Sequence, residues 1–198
     1  LTRAVAGEGV ALTVLLSAGA DAHDYEPSPL AAKKIAAARV ILRNGLGLDD
    51  WLDSTIEGSG TKGTVVTVTD GIDLRVGDGE ADPHVWHSPA NAKSMVDNIV
   101  TALSEGDPEH ASAFAQNGES YKKTLDETDA EIRRLIDQIP SENRRVVTNH
   151  DALGYFFDRR FAAEDFVAIK IFGHSIPLAA SMMLRTRSAV VTRRLYSD

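Results

Sequence analysis

The feature that most constrains this chain is a long apolar stripe beginning after Asp107-Pro108. Ala111, Phe114, Tyr121, Leu125, Thr128, Ile132, Leu135 and Ile139 follow one another at intervals of three, four or seven, the repeat of one helix face. Asp107-Pro108 supplies a cap and a first-turn proline, so the pattern predicts a helix running to Ile139. About 31 residues at ~1.5 Å each span roughly 45 Å, longer than one small lobe needs. A helix of that length suits a tie between two lobes better than it suits an exposed hairpin.

The segments around it alternate in type. Residues 10–17 (VALTVLLS) are apolar and β-branched and read as a buried strand. Ser28-Pro29 starts a helix through the alanine-rich residues 31–38. Residues 40–42 read as a short strand, residues 48–56 as a short helix, and residues 64–69 (TVVTVT) as a strand. Residues 71–82 form a glycine- and acid-rich loop. Residues 89–103 predict a helix with Ala92, Met95, Val96, Ile99, Val100 and Leu103 on one face. Residues 145–148 begin a further strand, and residues 152–159 look helical. The pattern is α/β: a lobe of strands and helices over residues 1–105, a long linking helix over 106–140, and a second α/β lobe over 141–198.

Charge divides the chain unevenly. Residues 1–158 carry 14 basic and 26 acidic side chains, a net of -12, whereas residues 159–198 carry 7 and 3, a net of +4. The overall net charge of -8 argues against nucleic acid as a partner, because phosphate binding needs clustered Lys and Arg. No cysteine is present, which removes disulfides, thiolate zinc sites and cysteine nucleophiles. No apolar run reaches the length of a transmembrane helix. The chain starts at Leu1 with no basic-then-apolar leader, as a processed protein or a fragment would.

Three histidines, His23, His84 and His150, sit where strands end and loops begin. Open α/β sheets bind ligands just beyond the carboxyl ends of their strands. Neutral imidazole is a common zinc ligand and suits manganese less well. One loop histidine is ordinarily a solvated surface residue, and that is the reading for His87, His110 and His174. Three at equivalent positions carry more weight. Pro27, Pro29, Pro83 and Pro89 stiffen the loops that hold them. Asp24, Asp82 and Asp151 stand beside them, either to accept the second imidazole proton or to cap helices and form turns.

The motifs "GADAHDYEPSP", "NGLGLDDWL", "DPHVWHSPANA" and "VVTNHDALGYFFDRR" occur in that order. In them the chain resembles the zinc/manganese solute-binding proteins of bacterial metal ABC importers over roughly residues 8–160. The resemblance implies that His23, His84 and His150 are metal ligands and that Trp86 and Tyr25 pack around the site. It casts Asn44, Gly45 and Trp51 as structural residues of the lobe. It further implies a monomer outside the cytoplasmic membrane that captures Zn2+, with Mn2+ the alternative, does no chemistry, and passes the ion to an ABC permease. Histidine at 150, where the family also uses glutamate, favours zinc. The short, histidine-free VGDGEA segment weighs slightly the other way.

The resemblance implies a sheet of four parallel strands in the first lobe, one missing here because the chain begins inside a helix at residues 1–8, and a second lobe that is incomplete here. Residues 161–198 depart from the family: they turn basic, lose periodicity and offer no strand-turn pattern. They are expected to pack poorly and add little to the site, although Glu164 and Asp165 are candidates for a further ligand. A truncated or frameshifted product would read this way, and a defective fragment is the blandest alternative. The functional rival is a zinc-dependent hydrolase, in which three histidines leave a fourth position for an activated water. Glu26 or Asp151 would be its general base, but no H-E-x-x-H or comparable motif accompanies them.

Overall fold

The computed structural model describes residues 1–16, 19–23, 25–77, 79–148, 150–158 and 167–170. Helix α1 (Thr2–Ala6) buries Val5 and Ala6. Helix α2 (Pro29–Ala37) starts where the Ser28 hydroxyl accepts the Ala31 amide at 3.2 Å, with proline in its first turn. Strand β1 (Val40–Arg43), helix α3 (Trp51–Ser59) and strand β2 (Thr64–Thr67) make a parallel crossover unit. In it Val40 pairs with Thr64 and Arg43 with Thr67.

A two-residue antiparallel hairpin follows, β3 (Val76–Gly77) with β4 (Glu80–Ala81), inside the stretch read as loop. A 3-10 turn (Val85–His87) leads into α4 (Pro89–Gly106), capped by Ser88. A second 3-10 turn (Pro108–His110) precedes the long helix α5 (Ala111–Ile136). Strand β5 (Arg145–Thr148), helix α6 (Gly154–Asp158) and strand β6 (Val167–Lys170) close the described chain.

The mixture of helices with parallel strands is the class expected. The main core lies where α1, α4 and α5 meet: Val5, Val96, Ile99 and Phe114 are each no more than 2% exposed. Burying such side chains is worth about 1.5–3 kcal/mol apiece. Helices α4 and α5 approach closely because position 118 is glycine. A Cβ there would lie 2.6 Å from Val100 Cγ2. A smaller cluster of Ile35, Ile41 and Leu52 seats α2 and α3 on β1.

Four expectations need correction. Residues 10–16 form no strand. Leu15 packs on the smaller cluster, but Val14 is 73% exposed and no ladder reaches this run among the described residues. A short apolar run carries no period that separates a strand from a packed coil. The first sheet therefore pairs two strands, β1 and β2, among the described residues. The long helix begins with a 3-10 turn and ends at Ile136, and Leu135 and Ile139 are exposed at 47% and 41%. The helix buries Phe114 and Gly118 and, at its last position, Ile136. Finally, the basic tail contributes a strand: β6 pairs parallel with β5, Arg145 opposite Val167 and Thr148 opposite Lys170. The residues VAIK are apolar and β-branched enough to extend once a partner edge is available.

Candidate metal centre

His23 lies in the loop before α2. Its amide donates to Asp21 Oδ1 at 2.9 Å. The peptide before it is pinned by Trp51, whose indole N–H donates to the Ala22 carbonyl at 2.8 Å. Tyr25 packs edge-on against Trp51 with ring centroids 4.8 Å apart, and its hydroxyl donates to the Leu15 carbonyl at 2.9 Å. The start of α3 thus anchors the His23 loop on both sides.

His84 lies between β4 and the 3-10 turn, and is 6% exposed. Asp82 grips it twice through Oδ1, at 3.0 Å from the His84 amide and 2.8 Å from Nδ1. A carboxylate on Nδ1 places the proton there and leaves the Nε2 lone pair free to coordinate. Asn44 holds the intervening turn by donating to the Pro83 carbonyl at 3.2 Å. Asn44 is fixed in turn: its amide donates to Asp49 Oδ2 at 2.6 Å, and its carbonyl accepts the Thr69 hydroxyl at 2.6 Å.

His150 stands two positions after the end of β5. Its Nε2 lies 3.0 Å from Nε2 of His84. Ring centroids of His84 and His150 are 4.9 Å apart, and His23 stands 5.7 Å from each. One nitrogen from each of the three lies within 4.8 Å of the others. Nitrogens around a tetrahedral zinc at ~2.05 Å are roughly 3.3 Å apart. The His84–His150 edge already approaches that spacing, and the widest edge would close by about 1.5 Å. His23 and His150 are exposed, so an ion can reach the cluster from solvent.

The structure therefore brings together the three histidines singled out from the sequence. Trp86 packs beside them, its ring 5.4 Å from that of His84. His87 stays outside the cluster against Trp86. Its pKa is lowered by burial and then by His84, against the pull of Asp82. His110 bonds Asp107 at 2.9 Å. Of the three aspartates considered as proton acceptors, Asp82 takes the role. Asp151 is exposed and bonds no imidazole among the described residues. Asp24, Glu164, Asp165 and His174 lie outside the described residues.

Sequence reasoning missed Arg75, Tyr155 and Asp158. Arg75 Nη1 reaches Asp82 Oδ2 at 3.0 Å, and its Nε makes a short bond to Asp158. Burial works against the guanidinium charge, but Asp158 and Asp82 outweigh it and raise the pKa. The Tyr155 hydroxyl accepts the Arg75 amide at 2.9 Å and donates to the Asp82 carbonyl at 3.0 Å. Tyr155 and Asp158 fall inside the VVTNHDALGYFFDRR motif, but nothing local signalled their pairing with Arg75 and Asp82, 73 to 83 positions away.

Comparison with known proteins shows the family and the fold. The family model described as ZnuA, zinc-uptake complex component A, periplasmic, matches residues 1–183. The match runs past the 8–160 covered by the motifs, so likeness to the family does not stop where the charge reverses. The iron-binding protein YfeA of Yersinia pestis is 36% identical over 156 residues, 76% of this chain and 50% of that protein. Zn(II)-bound AdcA from Streptococcus pneumoniae superposes with a TM-score of 0.74 at 28% identity, covering 86% of this chain and 37% of that one. A manganese-bound mutant of the periplasmic metal-binding protein from Candidatus Liberibacter asiaticus gives 0.77 at 30% identity, covering 93% and 70%. The chain spans about half the length of the curated relatives it matches.

Proposed function

This chain belongs to the periplasmic zinc-uptake component A family, and from that membership we propose that it captures a divalent metal ion outside the cytoplasmic membrane for an ABC permease. His23, His84 and His150 are the ligands in this reading, and the ion is cargo. The observation that carries it is the convergence of three imidazoles from three separate loops, with one Nδ1 already committed to a carboxylate. Residues 1–105, 106–140 and 141–198 serve as metal-binding lobe, linking helix and partial second lobe. No helix among the described residues is long and apolar enough to cross a membrane, which is consistent with a permease supplied by another chain.

Relatives are named for iron, manganese and zinc, so the choice of ion rests on the donors. Three neutral imidazoles favour zinc over manganese, because imidazole is the softer donor. The hydrolase reading gains no support: the relatives are named as metal-binding proteins, and Glu26 and Asp151 are exposed. Competition titration of Zn2+ against Mn2+ and Fe2+, run beside ester and phosphoester turnover assays, tests both points. Tight zinc binding without turnover is expected, and turnover that requires bound zinc would overturn the assignment.

A further inference from the structure

Arg75 lies between two parts of the site that sequence keeps far apart. Through Nη1 it bonds Asp82 Oδ2, while Asp82 Oδ1 serves Nδ1 of His84. Through Nε it bonds Asp158, at the end of the helix that follows His150. A second strap runs alongside: the Tyr155 hydroxyl joins the Arg75 amide to the Asp82 carbonyl. The D-P-H turn and helix α6 are thereby fastened at two points.

We propose that Arg75 is a positioning residue for metal capture, its guanidinium shared between Asp82 and Asp158 so that the Asp82–His84 pair and the segment carrying His150 keep one fixed relation. The planar fork suits this task, since it addresses two carboxylates at once, which a lysine ammonium on a flexible stem does less well. Gly154 makes room for it. A Cβ at that position would lie 1.5 Å from Arg75 Nη1 and 2.3 Å from Cζ, so the guanidinium lies directly across the start of α6. Asp82 is 9% exposed at its side chain, and Arg75 is the cation that offsets its burial. Without Arg75, Asp82 loses the partner that fixes its rotation, and α6 loses a tie to the His84 turn. Both changes loosen the 3.0 Å approach of the two Nε2 atoms.

The proposal rests on His84 being a ligand, and the experiment separates the two claims. Zn2+ competition titration and Co2+ absorption spectra, which report coordination geometry, are measured on the full chain for the wild type and for His84→Ala, Arg75→Ala, Arg75→Lys, Asp158→Asn and the Arg75→Ala/Asp158→Asn double variant. Arg75→Ala should weaken Zn2+ binding ~10-fold or more, the scale for residues that orient a ligand, and should alter the Co2+ bands. Arg75→Lys should recover part of the loss. Asp158→Asn should shift both readouts in the same direction, and the double variant should be no worse than Arg75→Ala, because the two act as one unit. Asp158 is 54% exposed at its side chain, so its variant keeps the test open if Arg75→Ala fails to fold. Wild-type affinity and spectra for Asp158→Asn and Arg75→Lys, alongside loss of binding in His84→Ala, would overturn the strap and leave the ligand assignment standing. Wild-type binding by His84→Ala would remove the ligand assignment and the strap together.

Discussion

Replacing Asp82 with asparagine changes one oxygen for one nitrogen and so tests how much His84 depends on its carboxylate. The wild-type Oδ1 takes two bonds from His84, at 2.8 and 3.0 Å, and Oδ2 takes one from Arg75 at 3.0 Å. An amide cannot accept at both ends. If its oxygen faces His84, its NH2 faces the guanidinium, and if it flips, it faces the Nδ1 proton instead. The first orientation loses the bond from Arg75, and the flipped one loses both bonds from His84; at least one charge-assisted bond, worth about 1.5–3 kcal/mol, is lost, and the imidazole is less firmly held with Nε2 toward the ion. The loss in metal affinity is expected at ~10- to 100-fold, the range for partners of ligating histidines. Zn2+ competition titration measures it, and the thermal melt of the metal-free variant separates weaker binding from weaker folding. An Asp82→Asn protein that binds zinc within about twofold of wild type, a margin far below that range, would refute the claim that Asp82 orients His84.

Acidification should weaken zinc binding, because protons compete with the ion for imidazole nitrogen; an affinity that does not fall on acidification would contradict an all-imidazole donor set. Gly118→Val should lower the melting temperature, since even a Cβ would stand 2.6 Å from Val100 and overpacking costs about 1–3 kcal/mol; an unchanged melt would show that α4 and α5 separate freely. Burial first, opposed by the Arg75 amide and reinforced by Asp82, raises the Tyr155 pKa. Its stabilising share is therefore present below the unfolded tyrosine pKa of ~10 and lost as pH rises through the higher folded value. Tyr155→Phe should flatten the alkaline loss of stability in melts taken across that window, and an identical slope would place the alkaline loss elsewhere.

Much of the site was legible because its information is local. His23, His84 and His150 each sit inside a short motif, and Asp82 stands two positions from the histidine it orients. The helices were legible for the same reason: Ser28 and Ser88 cap them from adjacent turns, and the apolar faces repeat at helical spacing. What escaped depends on distant partners. Arg75 gains its meaning from Asp158, 83 positions later, and no local pattern encodes that pairing. The strand at residues 167–170 is defined by the edge of β5 beside it, so the basic, aperiodic tail around it hid a paired segment. The reverse error befell residues 10–17, whose apolar run met no ladder among the described residues. The β3–β4 hairpin, two residues per strand, is too short for alternation to register.

The central claim is that three imidazoles from three loops hold the ion together. Zn2+ competition titration of His23→Ala, His84→Ala, His150→Ala and His110→Ala, side by side with the wild type, tests it most directly. Each of the first three substitutions removes one nitrogen from the cluster, whereas His110 bonds only Asp107 among the described residues, away from it. Strong loss of affinity in the three cluster variants, with His110→Ala unchanged, is the predicted result. Equal affinity across all four variants would contradict the account.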